Sequence, residues 1–405
     1  MNISVDRPRI LFFSHVLPYP LDSGPKVRTY YVLKYLVQRY DITLVCIIRS
    51  EKERHFVSPL EEMGVEVHPV LVPRSYLHDA LSLLRSLGSK RPFMIVRHHY
   101  PEVARVVAHL LAERRFDALH VDQVKMAQYG EGVLDLPRVV DKHNAYALIL
   151  KGVAEADPSP LKRWVARLDW QRMARYEGQI CRSFDQVVAV TEEDRRALEE
   201  FADRPLPIQV IPIAADADMP PLRRALDACD ILSVGSMFYP PNVEGALWFA
   251  RRVFPRIKAR SPETRLFLVG SRPAASIIAL GRQDPQIVVT GYVEDLQPYL
   301  ERAAVMIVPL RFGSGMRVKV LDALARGVPL VSTTFGCEGI TVIHGQDVLL
   351  ADEPEDFADA VLRLIQDRAF ADTLAANGRE LIRRVYDWRV VYRRWDQVYD
   401  NLLGE

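Results

Sequence analysis

The stretch Val308-Pro-Leu-Arg-Phe-Gly-Ser-Gly-Met-Arg-Val-Lys-Val-Leu-Asp-Ala-Leu-Ala-Arg-Gly-Val-Pro-Leu-Val-Ser332 reads as one strand, one glycine loop and one helix in direct succession. The apolar strand ends at Pro309, Gly313 and Gly315 make the loop, and a helix begins near Met316 and stops at Gly327. Backbone N–H groups of such a loop, with the positive end of the helix behind them, form a site for a phosphate or another anion. Arg317 and Lys319 fall in the first helical turn, where a cation opposes the helix dipole unless an anion is bound. Asp322, one turn beyond Lys319, is placed to accept hydrogen bonds from ribose hydroxyls. The same spacing also fits a plain i,i+3 Lys–Asp surface pair, and spacing alone leaves both readings open.

Outward from this unit the pattern repeats. Arg9 to Ser14, Asp41 to Ile48, Val65 to Val72, Asp117 to Val121 and Arg138 to Lys142 are short β-branched runs separated by longer amphipathic stretches, which predicts an α/β fold with a parallel sheet. Pro205, Pro207, Pro212, Pro220 and Pro221 crowd the segment Asp203 to Leu222, too densely for a helix or central strand, and mark an interdomain linker. A second alternation starts at Asp230 to Gly235, with a helix from Asn242 to Ala259 and strands at Thr264 to Gly270, Gln286 to Thr290 and Val305 to Pro309. The expected layout is a Rossmann-like acceptor-binding domain over 1–208, a linker over 209–228, a Rossmann-like nucleotide-sugar-binding domain over 229–385 and a C-terminal helix over 386–405. That last helix is rich in aromatics (Tyr386, Trp388, Tyr392, Trp395, Tyr399), and aromatics at such density pack on something. Of two destinations, the second sheet or a return to the first domain, packing back on the first domain is the one expected.

Composition narrows the class. A length of 405 residues suits two domains, and 53 Lys plus Arg against 52 Asp plus Glu gives no global field for nucleic acid or anionic membrane. The four cysteines, Cys46, Cys181, Cys229 and Cys337, show no CxxC spacing and fit a reducing compartment. The opening MNISVDRPRILFFSHVLPYP has too short an apolar run for a signal peptide or a spanning helix, so a cytoplasmic protein is expected, with contact at the inner face of the membrane left open.

The strand, the glycine loop, Arg-x-Lys, the following Leu-Asp-Ala-Leu-Ala-x-Gly-Val-Pro and Glu338-Gly339 together resemble the donor segment of GT-B-fold, retaining glycosyltransferases of family 4 (glycosyl transferases group 1). The bacterial exopolysaccharide-associated members are the branch most similar. The resemblance extends through Gly235-Ser-Met-Phe-Tyr-Pro-Pro-Asn-Val-Glu244, Leu268-Val-Gly270, Thr290-Gly-Tyr-Val-Glu-Asp-Leu-Gln-Pro-Tyr299 and Tyr386-Asp-Trp388, and more weakly through the first half. It implies two Rossmann-like domains facing across a cleft, and donor contacts from Gly24, Gly235, Asn242, Gly270, Val293, Gly313, Ser314, Gly315, Met316 and Asp322. Two departures stand out. The family's paired glutamates seven residues apart are replaced by Ser314 and Asp322, and the family's Arg and Lys after the first strand of the second domain are absent from Gly235-Ser-Met-Phe-Tyr. Arg317 and Lys319 are then expected to neutralise the diphosphate, with Glu338 near the cleft.

In the first domain, the loop Ser14 to Arg28 with Gly24 and Pro25 lies between the first strand and the first helix, where a doubly wound sheet meets its ligand. Arg28 is expected to reach the cleft. His143 ends an apolar strand; an isolated histidine is more often structural, and it is the resemblance that implies a catalytic place beside the donor sugar. Glu177 also fits the family pattern, against a plain helix-surface carboxylate. His98-His99 makes no metal site, so neither a metal nor another cofactor is expected. The expected partners are a UDP- or GDP-sugar and a saccharide or lipid-linked acceptor, with no nucleic acid. Pro73 to Arg97, Lys151 to Lys162 and Trp164 are candidate acceptor or membrane segments, or ordinary amphipathic helices. The function so implied is retaining hexosyl transfer to a hydroxyl in polysaccharide or glycolipid synthesis. The alternatives are a nucleotide-sugar epimerase of the same architecture and a catalytically degenerate nucleotide-sugar-binding scaffold, the latter motivated by Ser314.

Overall fold

The computed structural model of the chain describes residues 7–156 and 159–404, and for residues 156 and 162 the backbone only. The first six residues of the N-terminal stretch, and residues 157–158 within the candidate acceptor segment, lie outside the described residues.

The chain divides into two compact units, Met1–Pro212 with Val391–Glu405, and Ile213–Val390. The first holds seven strands: β1 (Arg9–Ser14), β2 (Asp41–Ile48), β3 (Val65–Leu71), β4 (Ala118–Asp122), β5 (Arg138–Lys142), β6 (Gln186–Ala189) and β7 (Ile208–Val210). They run in the order β3-β2-β1-β4-β5-β6-β7, and all their pairings are parallel. β1 reads as a nearly unbroken apolar run because both its faces are covered, as parallel sheets require. Leu11, Phe13, Val45, Leu119, Val121 and Val140 build the core on one face together with Val103, Val107 and Leu110 of the helix Pro101–Glu113.

The second unit repeats the plan with β8 (Asp230–Val234), β9 (Leu266–Val269), β10 (Ile287–Gly291), β11 (Ala303–Val308), β12 (Leu330–Ser332) and β13 (Leu349–Leu350), ordered β10-β9-β8-β11-β12-β13. Counted within each unit, the order is 3-2-1-4-5-6, with one further strand in the first. This is the doubly wound arrangement, whose ligands sit where the order reverses, outside the carboxyl ends of strands 1 and 4.

Several boundaries differ from the sequence reading. The stretch assigned to a linker from residue 209 begins inside an edge strand: Ile208–Val210 pairs with β6. Prolines at 207 and 212 confine it to three residues without preventing pairing at an edge. The helix expected over 242–259 is Pro240–Trp248, a wide π turn Phe249–Val253, then Phe254–Lys258. Pro255 supplies no N–H to the ladder, and the wide turn lies immediately before it. The aromatic segment from residue 386 is not one helix. A π turn ends at Tyr386, Trp388–Val391 forms a single turn, and the helix proper is Arg394–Leu403.

This last helix belongs to the first unit, so the chain returns to where it began. Trp395 and Tyr399 are completely buried. Phe12 of β1 stacks on His120 of β4 at 4.1 Å, Trp395 lies 5.1 Å from that imidazole, and Tyr399 stacks on Tyr40 at 4.7 Å. The Tyr399 hydroxyl meets His120 Nδ1 at 2.9 Å, and burial lowers the His120 pKa to about 4, keeping the imidazole neutral. Tyr35 donates to Asp396 at 2.9 Å, and Arg39 pairs with Asp396 and Asp400 at the edge of this contact. The aromatic composition of the C-terminus is thus the covering of the second face of the first sheet.

Truncating the central aromatic leaves a cavity that this face cannot fill. Trp395→Ala should destabilise the first unit by about 3–5 kcal/mol. Hydrogen exchange resolved by peptide should show protection falling in β1 and β4 while β8 and β11 keep theirs; equal loss in both units would contradict the assignment of this helix to the first.

Candidate functional site

In the second unit the chain leaves β8 at Gly235 and β11 through the Leu310 to Arg317 loop, the two strand ends at which the order reverses. Gly235 and the neighbouring Gly270, after β9, both adopt positive φ (155° and 156°). A Cβ on Gly270 would stand 1.7 Å from the Gly235 carbonyl oxygen, so only glycine permits this approach of the two strand ends. Gly235 in turn lies against Asn242 and Lys319: a Cβ there would meet Asn242 Nδ2 at 2.8 Å and Lys319 Nζ at 3.0 Å.

Lys319 Nζ donates to Asn242 Oδ1 at 2.8 Å, and Asn242 Nδ2 donates to the Ser236 carbonyl at 3.0 Å. No carboxylate pairs with Lys319 among the described residues. Burial, reinforced by the nearby Arg317 guanidinium, lowers its pKa to about 7. The helix starts two residues later than the sequence suggests, at Val318, and runs to Arg326, closed by Gly327 in the left-handed conformation. Arg317 is therefore its N-cap, with extended backbone, and its side chain folds back on its own loop. It donates to the Gly315 carbonyl, lies 4.9 Å over the Phe335 ring and approaches Glu338 at 3.6 Å. Met316 is buried, its sulfur accepting from the Ile213 N–H at 3.1 Å. Val293, half-buried, lies in the loop just after β10, at the same carboxyl edge of the sheet.

The Lys319–Asp322 pair that spacing permits does not form. Asp322 instead takes Arg326 at 3.0 Å on both oxygens, one turn further along the helix. An acidic partner for Lys319 is thus withheld, and the site presents two cations with glycine backbone around them. That combination is suited to a doubly charged oxyanion such as a diphosphate.

The first unit has its own cluster at the corresponding position. His143 follows β5, with Nε2 2.7 Å from Asp122 Oδ1 and Nδ1 2.9 Å from Gln123 Nε2. Both ring nitrogens are engaged, so the imidazole is oriented by its neighbours, and contact with a sugar would require one of these bonds to be exchanged. Gln123 holds φ 70° and ψ 151°, a region almost reserved for glycine, at a cost of about 1–3 kcal/mol. Asp122 also accepts from Ser14 and Thr29.

Arg28 does not reach out towards ligand, contrary to the sequence reading. It is fully buried, forks onto both oxygens of Asp141 at 2.7 and 2.9 Å, and donates to the carbonyls of Ile211 and Pro212. Burial pushes the Asp141 carboxyl up, but Arg28 and His143 outweigh it and hold it below its ordinary value. Gly24, expected to contact the donor, opens the helix Gly24–Leu36 behind Ser23 as N-cap. Glu177 is no surface carboxylate either. It is buried, pairs with Lys142 at 2.5 Å and accepts from the N–H groups of Tyr146 and Ala147, pinning the turn after His143. Ligand atoms of Asp122, Asp141 and His143 come within 4.8 Å of one another. In this structure Asp141 receives the Arg28 fork and Asp122 accepts from two hydroxyls, so the carboxylates of the trio are engaged in hydrogen bonds.

Two residues in this region carry no sequence motif: His15, just past β1, and Lys125, just past β4. The signal that could have found them is position alone, since each follows a strand at the reversal point.

Two doubly wound units, each with polar groups gathered at its reversal point, define the two-domain architecture of GT-B proteins. The glycosyl transferases group 1 model matches residues 228–367 and the glycosyl transferase 4-like domain model matches residues 23–214. The chain belongs to this family of glycosyltransferases. Among curated relatives, an uncharacterized 44.6 kDa protein in the cps region of Klebsiella pneumoniae is 25% identical over 41% of this chain. An exopolysaccharide phosphotransferase of Streptomyces coelicolor is 26% identical over 55%, and the glycogen synthase of Mycobacterium tuberculosis 26% over 58%. The chain spans 45%, 24% and 59% of the length of these three. Among solved structures, sucrose-phosphate synthase from Thermosynechococcus elongatus superposes with a TM-score of 0.74 at 18% identity, covering 98% of this chain and all of the other. HepE of Anabaena, solved in complex with UDP and glucose, gives 0.67 at 16% identity over 97% and 99%. These likenesses share the fold.

Lys319 titrates in a way that can be checked without any ligand. Its folded pKa lies below the unfolded value of about 10.4, so the unfolded chain binds more protons between the two values and stability rises with pH across that window. Below about pH 7 the buried ammonium carries its full penalty. Lys319→Met should therefore stabilise the ligand-free protein more at pH 6 than at pH 9 in thermal unfolding; a variant equally stable relative to wild type at both would mean that the amine is not desolvated.

Proposed function

We propose that this chain is a hexosyltransferase that moves a hexose from a UDP- or GDP-sugar to an acceptor hydroxyl, with retention of configuration and without a metal or other cofactor. The observation that carries this reading is Lys319, a desolvated amine with no acidic partner among the described residues, set beside the Gly235 backbone at the reversal point of the second sheet. Transfer from a nucleotide sugar leaves a nucleoside diphosphate, and the barrier falls when charge developing on that group meets preorganised donors. Lys319, Arg317 and the N–H groups of the Gly313–Gly315 loop would supply them. Gly235, Asn242, Gly270, Val293, Ser314 and Met316 would surround the donor, and Asp322 would share its carboxylate between Arg326 and the ribose. Glu338 would keep Arg317 aimed until the diphosphate arrives. In the first unit, the clamped His143 imidazole would orient the sugar.

The relatives named for exopolysaccharide and glycogen chemistry, and the UDP complexes of HepE, support a role in bacterial polysaccharide or glycolipid assembly from a nucleotide-sugar donor. A cytoplasmic enzyme with peripheral membrane contact fits an acceptor carried on lipid. No helix among the described residues is long and apolar enough to cross a membrane. The helix Tyr76–Leu87 exposes Tyr76, Leu77, Leu84 and Leu87, and Pro160–Ser183 exposes Leu161 and Trp164, with Arg85, Lys90 and Arg163 beside them. Such a mixture of apolar and basic side chains suits an anionic bilayer surface.

Calorimetry and thermal shift with UDP, GDP, ADP and their sugar conjugates test the donor. One nucleotide should bind selectively, with uptake of a proton at pH 8 as its phosphates restore the charge on Lys319, and Lys319→Ala should lose both the uptake and most of the affinity. No binding by any nucleotide would remove the donor reading. Conversion of the sugar without an acceptor would point to an epimerase, and binding without turnover over a broad acceptor panel to a scaffold. Flotation with liposomes tests the membrane face separately: binding should need anionic lipid and weaken when Leu77, Leu84 and Trp164 become serine, and no flotation in either lipid would discard it.

A further inference from the structure

The first unit gathers basic side chains that neither its Asp122–Asp141–His143 network nor the donor loop uses. His15 leaves β1, Arg49 leaves β2 and Lys125 follows β4, so all three stand at the carboxyl edge of the sheet around its reversal point. His98 joins them from the turn after the helix Phe93–Arg97. His15 is only 8% exposed, and its Nδ1 is buried without a hydrogen-bond partner. The amine of Lys125, a half-buried residue, finds no hydrogen bond or ion pair among the described residues. Arg49 is fixed by the Val72 carbonyl and the Tyr100 hydroxyl, its guanidinium 5.4 Å from the centre of that ring. His98 Nδ1 is tied to the Met94 carbonyl, and its ring meets Tyr100 edge-on at 6.2 Å.

The acids around this group are already spent. Asp79 takes both nitrogens of the Arg97 fork at 2.7 Å, Asp122 is shared by His143, Ser14 and Thr29, and Glu53 accepts from the Arg49 backbone N–H. The result is a partly desolvated edge of the sheet where Arg49 and Lys125 lie near two buried imidazoles and Lys125 meets no acidic partner among the described residues. Burial, with Lys125, His98, His143 and Arg49 pressing on it, lowers the His15 pKa well below its usual value. Burial with Arg49 and Arg97 lowers Lys125 to about 8. A proton on His15 beside Lys125 and Arg49 is costly without a counter-ion, and one bound oxyanion would remove that cost.

We propose that His15, Lys125 and Arg49 form an oxyanion-binding subsite of the first unit that recognises a phosphate or carboxylate group on the acceptor. That the anion belongs to an acceptor rests on the transferase reading; that an anion binds here does not. The subsite makes the acceptor an acidic molecule, either a saccharide attached through phosphate or one containing a uronic acid.

The test uses the full chain with labelled histidine in a Lys319→Met background, which removes the second unit's buried amine from the readout, and follows imidazole resonances by NMR. Inorganic pyrophosphate or glucuronate should shift the His15 signals saturably, raising its titration midpoint, while glucose leaves them in place. Pyrophosphate alone would identify a phosphate-bearing acceptor, and glucuronate alone a uronic acid. Lys125→Met should weaken the effective anion by roughly ten- to hundredfold, the factor carried by one charge-assisted hydrogen bond. His15→Gln, read through the His98 signals, provides a second variant should Lys125→Met perturb folding. If no anion moves the His15 signals, or if both variants bind as the parent does, the inference is overturned, whatever the donor screen has shown.

Discussion

A parallel sheet that winds outward in both directions from its first strand sends the chains leaving its first and fourth strands to opposite faces, and the opening between them cannot be filled by either connection. Both units of this protein obey that constraint, and nearly every polar group of the two clusters is placed by it. Gly235 and the Gly313–Gly315 loop flank the opening in the second unit; His15 and the Gln123–Lys125 turn flank it in the first. The remaining architecture serves to hold those strand ends. Apolar layers fix the strands, and the C-terminal helix closes the outer face of the first sheet with Trp395 and Tyr399.

The two openings solve the problem of buried charge in different ways. In the first unit much of it is compensated: Arg28 with Asp141 and Lys142 with Glu177 are pairs in which each member offsets the cost of the other. These pairs draw helix starts and strand ends together and fix the frame. In the second unit Asp322 is turned aside to Arg326, and Lys319 is left with a neutral amide. Its amine is left without a counter-ion among the described residues. Arg28 has its acidic partner and Lys319 has none among the described residues, although both lie just beyond a glycine-containing loop.

Much of the fold is legible in the amino-acid order itself. The β-branched runs at Arg9 to Ser14, Asp41 to Ile48 and Arg138 to Lys142 coincide with β1, β2 and β5 because parallel strands buried on both faces leave little freedom in composition. The glycine loop followed by Arg317 and Lys319 is readable because cations at a helix start conflict with local preference. Arg28 is misleading for the opposite reason. Nothing in its own segment shows that Asp141, more than a hundred residues away, lies against it, and long-range pairing is what periodicity cannot report. His15 and Lys125 escape notice because they are single residues of common type whose meaning comes only from strand order. The break at Pro255 and the pairing of Ile208–Val210 stay hidden where proline effects depend on which backbone groups a neighbour requires.

Gln123 shows what such a frame demands of the chain. Its backbone occupies a conformation that glycine would adopt freely, yet its amide is one of the two groups that steady His143. Relaxation of the main chain and retention of the imidazole's orientation therefore cannot be achieved by the same residue. A search for sturdier variants of this protein would be drawn towards glycine at this position and would obtain a calmer fold with a looser ring. The position marks a trade between endurance and order at the scale of a single side chain.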